Sequence, residues 1–478
     1  MNILKNNIKS KRLLIIGAGY AGKMVAQEIQ DRPNLGYLPI AFADDNENLK
    51  GTEICKIKVI GPTKNISSIV KSLKIDQIVI TMPTVSGDPL RRIVHICEQT
   101  KVPFKILPGA FDVLDSIESG KPYFKFIRNI QIEDLLRRKP LFIKDISKIN
   151  YIQGKCILVT GAGGSIGSEL CRQIAELQPK EIVLFDHSES SMFEIDSELR
   201  NTYNDVKIIP VLGSICDKQK LIHTFRTYKP NVVFHAAAYK HVPLLEYNPA
   251  EAIKTNIIGS QNLILAAHNE KIERFVLIST DKAVNPSSTM GATKRISEMF
   301  MQGIGKNSST KFVAVRFGNV LASQGSVVPT FKKQIKEGGP VTVTHKDMKR
   351  YFMTISEAVH LILQASASGG DGEIFILDMG KQIKIVDLAE DIIRLYGLEP
   401  GKDIEIKFTG IRPGEKLSEE LLSDVEGLQV TKNDKIYVIK PESINMNKIQ
   451  EQIKKLEKYS ISGQDSQIIK TLKEIVSE

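Results

Sequence analysis

Short, continuously apolar runs alternate along this chain with longer stretches whose apolar residues recur at helical spacing. Leu13–Ile16 is such a run. Met24, Val25 and Ile29 follow near helical spacing, and a second run, Leu38–Ala43, ends in Asp44-Asp45. Continuously apolar runs mark parallel strands covered on both faces. Further strands are predicted at Gln77–Thr81, Phe104–Leu107, Cys156–Thr160, Glu181–Phe185, Val206–Val211, Val232–Phe234, Phe275–Ser279 and Phe312–Arg316. Helical segments such as Asp217–Tyr228 and Pro249–Glu270 lie between them. Strand–helix alternation of this kind predicts doubly wound parallel sheets. From about Gly325 the rhythm breaks and Lys, Gly and Pro accumulate, as in a lobe that covers a crevice.

The expected fold class is therefore α/β, with two Rossmann-like doubly wound parallel-sheet domains, the second carrying a smaller C-terminal substrate-binding lobe. The divisions expected are a nucleotide-binding-like domain at 1–130, a linker at 131–150, the second domain with its lobe at 151–430, and a polar helical tail at 431–478. The linker centres on Ile132–Lys148, with Arg137-Arg138-Lys139-Pro140 inside it.

Both domains open with a strand, a glycine turn and a helix. Gly17, Gly19 and Gly22 form the first turn; Gly161, Gly164 and Gly167 form the second, with the helix starting at Ser165-Ile166. A pyrophosphate requires close approach by backbone N–H groups and the positive end of a helix, which a side chain would obstruct. Asp186 lies 19 residues beyond Gly167. That is close to the ~20 expected for a carboxylate that receives the adenosine ribose hydroxyls. His187, Ser188 and Glu189 follow, with no Arg or Lys for a 2′-phosphate, so NAD is favoured over NADP. The first turn has the same geometry, but no chemistry is evident downstream of it.

Composition narrows the partners. Lys and Arg exceed Asp and Glu by 65 to 55, a net charge of +10 that favours anionic ligands. The lysines are scattered among acidic residues, so no nucleic-acid arm is expected. The five cysteines form no C-x-x-C pair. Neither a disulfide framework nor a metal site is indicated, and a reducing, cytoplasmic setting fits. No signal peptide is visible and no apolar run reaches the ~18 residues of a membrane span, so a soluble chain is expected.

The segment Val276–Arg295, VLISTDKAVNPSSTMGATKR, carries the candidate chemistry. A strand delivers Thr280, Asp281 and Lys282 to its C-terminal end, which faces the ligand crevice in open α/β sheets. Met290 and Lys294 follow one helical turn apart, on one face.

These features resemble the extended short-chain dehydrogenase/reductase family. Its T-G-x-x-G-x-x-G is matched by Thr160, Gly161, Gly164 and Gly167, and its acidic residue after the second strand by Asp186. The resemblance further implies cofactor contacts at Asp217, Ala236, Ala237, Asn256 and Lys294. The family's Tyr-x-x-x-Lys pair has Lys294 in place but Met290 where Tyr belongs. Met cannot accept a hydroxyl proton. One subgroup is similar in this respect and in its T-D-K-A-V-N-P stretch: the large bacterial UDP-N-acetylglucosamine 4,6-dehydratases of glycan and capsule synthesis. They share the extra N-terminal domain, and long members carry membrane helices ahead of it, anchored to the inner membrane and facing the cytoplasm. No such helix occurs in these 478 residues, though association with the cytoplasmic membrane face fits the resemblance. The likeness runs from about residue 10 to 425 and is most specific across Lys155–Lys294, AAAYKHVPLLE, VRFGNVLASQGSVVPTF and IRPGEKLSEEL.

The resemblance implies oxidation of the hexose at C4, loss of water across C5 and C6, and hydride return to C6. Net redox is zero, so NAD stays bound. Asp281 would be the acid for water loss, Lys282 the base at C5, and Thr280 a hydrogen-bond partner of the 4-hydroxyl. Removal of the 4-hydroxyl proton is left to Thr280, Asp281, Lys282 or a water. Substrate contacts are expected at Lys240, His241, Asn319, Arg350 and Arg412, with Glu415 either touching substrate or fixing Arg412. The resemblance also implies a homo-oligomer. Two rivals stand: a UDP-sugar 4-epimerase, which does not need Asp281-Lys282 but does need the missing Tyr, and a non-catalytic dinucleotide-binding sensor or scaffold.

Overall fold

The structure, a computed structural model, describes residues 10–85, 87–108, 122–136, 149–370, 372–422, 428–431, 435–439 and 443–477. The chain forms two compact units. One comprises Met1–Phe142 with Glu390–Ile404, the other Ile143–Ala389 with Glu405–Glu478. The division falls within the stretch read as a linker. Ile132–Leu136 of that stretch is helical, and Arg137-Arg138-Lys139-Pro140 lies outside the described residues.

The first unit holds a six-stranded sheet of β1 (Lys11–Ile16), β2 (Tyr37–Ala43), β3 (Glu53–Ile54), β4 (Ile57–Gly61), β5 (Gln77–Ile80) and β6 (Phe104–Ile106). Their order is β3-β4-β2-β1-β5-β6, parallel except for the β3–β4 hairpin. Leu13, Ile15, Phe42 and Val79 anchor its core. The hairpin was not anticipated. Its loop, Cys55-Lys56, has positive φ at both residues, a conformation usually signalled by Asn-Gly or Asp-Gly.

The second unit is built on β7 (Cys156–Thr160), β8 (Glu181–Asp186), β9 (Lys207–Leu212), β10 (Val232–His235), β11 (Arg274–Ile278) and β12 (Lys311–Arg316). Parallel pairing runs β12-β11-β10-β7-β8-β9. β7 comes first in the chain but sits between β10 and β8, so a crevice opens at the carboxyl ends of β7 and β10. These strands lie within one or two residues of the runs predicted from hydrophobicity.

Beyond residue 318 the chain builds the lobe from β13 (Asn319–Val320), β14 (Val341–Val343), β15 (Lys349–Arg350), β16 (Phe352–Met353), β18 (Ile383–Lys384) and β19 (Ile406–Phe408), paired 13–16, 14–19 and 15–18. The same region also returns β17 (Glu373–Leu377) to the main sheet beside β12, and β21 (Ile436–Ile439) and β20 (Leu428–Val430) extend that edge antiparallel.

The tail is not a separate polar appendage. Its two helices, Met446–Ile461 and Asp465–Ser477, place Ile449, Ile453, Leu456, Ile468, Leu472 and Ile475 in the same core as Phe275 and Phe300. The i, i+4, i+7 spacing of both triplets gives each helix one apolar stripe; the dense Lys and Glu on the opposite face masked it. Among the described residues, no helix is long and apolar enough to cross a membrane.

Candidate active site

The second glycine turn joins β7 to α1 (Ser165–Glu176). A Cβ on Gly161 would stand 2.7 Å from the Ala237 nitrogen, and one on Gly167 would stand 1.9 Å from the Gly161 oxygen. Both glycines are therefore required by the packing of turn, helix and neighbouring strand. Gly164 differs: the nearest atom to a Cβ there is the Gly161 oxygen at 3.2 Å. Its open side is left for close approach to the helix start. Asp186, buried at the end of β8, accepts from Gly163 N–H at 3.0 Å and Ser188 N–H at 2.9 Å. Two accepted bonds leave a carboxylate free lone pairs for hydroxyl donors.

This turn opens onto a cavity of about 880 Å³ lined by Gly161, Gly164, Ser165, Ile166, Gly167, Ala236, Thr280, Lys282, Met290 and Lys294. Lys240, His241, Asn319, Arg350, Arg412 and Glu415 line the same cavity. β11 ends at Ile278, and the chain then makes a short 3₁₀ turn, Asp281–Ala283, capped by Thr280. Ser279 N–H donates to the Val315 oxygen and Asp281 N–H to the Phe317 oxygen, which locks the turn to the segment after β12. Asp281 is 1 % exposed. Its Oδ1 accepts from Thr280 Oγ1 and from Lys282 Nζ, each at 2.9 Å. Lys282 Nζ also donates to Asn319 Oδ1 at 3.0 Å. Carboxyl and amine thus stand in direct contact, Lys282 on the cavity wall and Asp281 buried beside it, not in bulk solvent.

Met290 and Lys294 lie in α2 (Thr289–Gly305), capped by Ser288. Met290 packs with Val242, Leu245 and Ala252. Lys294 Nζ donates to the Ile278 oxygen at 2.6 Å. Burial lowers its ammonium to about 8, against the opposing charge of Glu298. Glu298 receives Ser279 Oγ at 2.5 Å and two Arg316 bonds at 2.8 and 2.7 Å. Burial alone would raise its carboxyl; Arg316 holds it below the usual range. This buried pair ties the end of β11, β12 and α2 together beside the Asp281–Ala283 turn.

Several expected contacts are placed differently. Asn256 lies in a π-helical turn, Ile253–Gly259, fully buried and outside the cavity lining. Its carboxamide accepts from Tyr239 N–H and donates to the Tyr239 oxygen and Thr293 Oγ1. With both amide hydrogens engaged, it holds the loop after β10. Arg350 clamps the chain itself: its guanidinium donates to the Lys349, Leu417 and Lys416 oxygens. Asn319, expected at the substrate, accepts from Lys282 Nζ. Arg412 pairs with Glu415 at 2.5 Å, the geometry of a fixed guanidinium. Asp217 caps the helix Lys218–Tyr228. Ala237 lies against Gly161. Lys240 and His241 are exposed.

One cavity carboxyl escaped the sequence reading. Glu419 is 5 % exposed and lines the cavity, with Arg350 Nη2 at 3.7 Å. It sits in IRPGEKLSEEL, and only the fold brings it back to residues 281 and 282.

A family model described as "Polysaccharide biosynthesis protein" matches residues 157–441. The chain belongs to this family. A second model, "CoA-binding domain", matches residues 3–108. The chain is similar to "Capsular polysaccharide biosynthesis protein CapD" of Staphylococcus aureus, 46 % identical over 91 % of this chain and 72 % of that protein. It is 37 % identical to a UDP-N-acetylglucosamine 4,6-dehydratase (inverting) of Campylobacter jejuni over 60 % of this chain and 83 % of the relative. Among solved structures, that of Pen from Bacillus thuringiensis is 36 % identical, with a TM-score of 0.57 over 62 % of this chain and 89 % of that one. UDP-glucose 4-epimerases also match, at 34 and 33 % identity over 57 % of the chain.

Proposed function

We propose that this protein dehydrates UDP-N-acetylglucosamine to a UDP-4-keto-6-deoxy-N-acetylhexosamine in the cytoplasm, for surface glycan or capsule synthesis. The observation that carries the reading is the buried Asp281 carboxyl in contact, at 2.9 Å, with the Nζ of Lys282, which lines the cavity that the glycine turn enters. The family and the Campylobacter relative point the same way.

The cradle fits a dinucleotide: Gly164 leaves open space over the helix start, and Asp186 retains lone pairs for ribose hydroxyls. NAD bound there supplies an acceptor for the C4 hydride and a donor for its return to C6. Lys294 holds the nicotinamide-side ribose and lends positive charge. Thr280 orients the 4-hydroxyl. Once C4 is a ketone, the C5 proton is acidified and Lys282 Nζ removes it. Asp281 gives its proton to the departing 6-hydroxyl. Asn319 aims Lys282, and Arg350 fixes the segment 416–417 over the site. The low-dielectric pocket strengthens each of these interactions relative to water.

An epimerase needs a hydroxyl base opposite Lys294, and Met290 supplies none. Incubation of the holoprotein with UDP-N-acetylglucosamine tests the reading. Dehydration yields a 4-keto product lighter by one water. UDP-N-acetylgalactosamine of unchanged mass would contradict it in favour of epimerisation, and an unaltered sugar in favour of a scaffold.

A further inference from the structure

Oxidation of an alcohol at C4 releases a hydride and a proton, and the proton needs an acceptor. Met290, which lines the cavity, has no group to take it. Thr280 and Lys282 both donate to Asp281 Oδ1, and in the dehydratase reading Asp281 must hold a proton for the leaving hydroxyl. Among the described residues two carboxyls line the cavity, Glu415 and Glu419; Glu415 accepts from the Arg412 backbone N–H and guanidinium, which leaves Glu419.

The fold delivers it there by several fixed contacts. Ser287 Oγ donates to the Gly414 oxygen, Lys416 Nζ to the Val284 oxygen, and Asn285 Nδ2 to Glu420 Oε2. The segment 414–420 is thereby stapled to the chain immediately after the Asp281–Ala283 turn. From the other side, Gln382 Nε2 donates to the Glu419 oxygen at 2.8 Å. The Glu419 carboxyl lies within electrostatic reach of Lys282, Asp281, Arg350 and Lys416.

We propose that Glu419 accepts the 4-hydroxyl proton during C4 oxidation and later returns it to Asp281. This rests on the dehydratase reading and supplies the step that reading leaves open. The C4–H bond breaks with its electron pair going to the bound nicotinamide, the O–H proton goes to the Glu419 carboxylate, and C4=O forms. Lys282 then takes the C5 proton, the C6–O bond breaks, and Asp281 gives its proton to form water. Hydride returns to C6 and Lys282 reprotonates C5. Asp281 is now one proton short and Glu419 one proton in excess; transfer between them restores the starting state. Burial raises the Glu419 carboxyl above its ordinary range, which suits a group that must both take and give a proton.

The test uses the NAD holoenzyme, with Glu419→Gln and Glu419→Asp. In Glu419→Gln, dehydration falls roughly 10²-fold or more, the scale of a lost general base. The isotope effect from deuterium at substrate C4 rises, because oxidation becomes limiting. Deuterium exchange at C5 of added 4-keto product in D₂O stays near wild type, because that step needs only Lys282. Glu419→Asp recovers part of the rate. Wild-type turnover in Glu419→Gln would overturn the proposal. So would parallel loss of C5 exchange, which would make Glu419 a support for Lys282. If wild type itself leaves UDP-N-acetylglucosamine unchanged, the underlying reading fails, and the proposal with it.

Discussion

Lys294 is a cation held almost without water, its Nζ bonded to the Ile278 oxygen. Its value near 8, against an ordinary 10.5, means that the charge is present below about pH 8 and lost above it. If that charge serves the nicotinamide side of the cavity, turnover declines on the alkaline side with a midpoint near 8. A kcat profile of Lys294→Arg checks this: the limb moves to higher pH, and a limb unmoved would assign it to another group. Stability runs the other way. The unfolded chain binds more protons than the folded one between about 8 and 10.5, so this residue's contribution to stability rises with pH across that window. Thr280, Asp281, Lys282 and Lys294 were legible because one short segment carries them all and strand periodicity places its end. Glu419 was not. Nothing local marks it, and its position depends on contacts such as Ser287 with Gly414, 127 residues apart. For Arg350 and Asn256, residue type permits a ligand contact, and only tertiary structure shows that their side chains also bond to the chain itself.

At the scale of elements, the strand–turn–helix unit separates packing glycines from an approach glycine. Gly167→Ala drives a Cβ onto backbone at 1.9 Å and is expected to cost about 1–3 kcal/mol or more, the price of overpacking. Gly164→Ala meets backbone only at 3.2 Å and leaves the melting temperature nearly unchanged while weakening NAD binding at least about tenfold. Thermal melts and NAD titration of the two variants check the contrast; equal melts would refute it. The parallel strands were readable because burial on both faces makes their sequence continuously apolar. The β3–β4 hairpin was not, since its turn lacks glycine. The π-helical turn around Asn256 is invisible to a 3.6-residue period. The helices of the tail were legible, but not their apolar stripe, because charge on one face outweighed it.

The whole molecule is two α/β units, each with its own apolar core. Hydrophobic rhythm predicts that plan, since it needs only local periods and the two glycine turns. How the lobe completes the cavity depends on pairings far apart in the chain, such as β14 with β19 and β15 with β18. Such pairings carry no local signature. The surplus of +10 charges suits an anionic nucleotide sugar. In the proposed function, what joins fold to activity is a single act, transfer of the C5 proton to Lys282. The most direct test is nuclear magnetic resonance of the UDP-sugar product formed in D₂O by wild type and by Lys282→Ala. The account predicts a 4-keto-6-deoxy product with solvent deuterium at C5 from wild type, and no such product from the variant. Full dehydration by Lys282→Ala, or a wild-type product with only protium at C5, would contradict it.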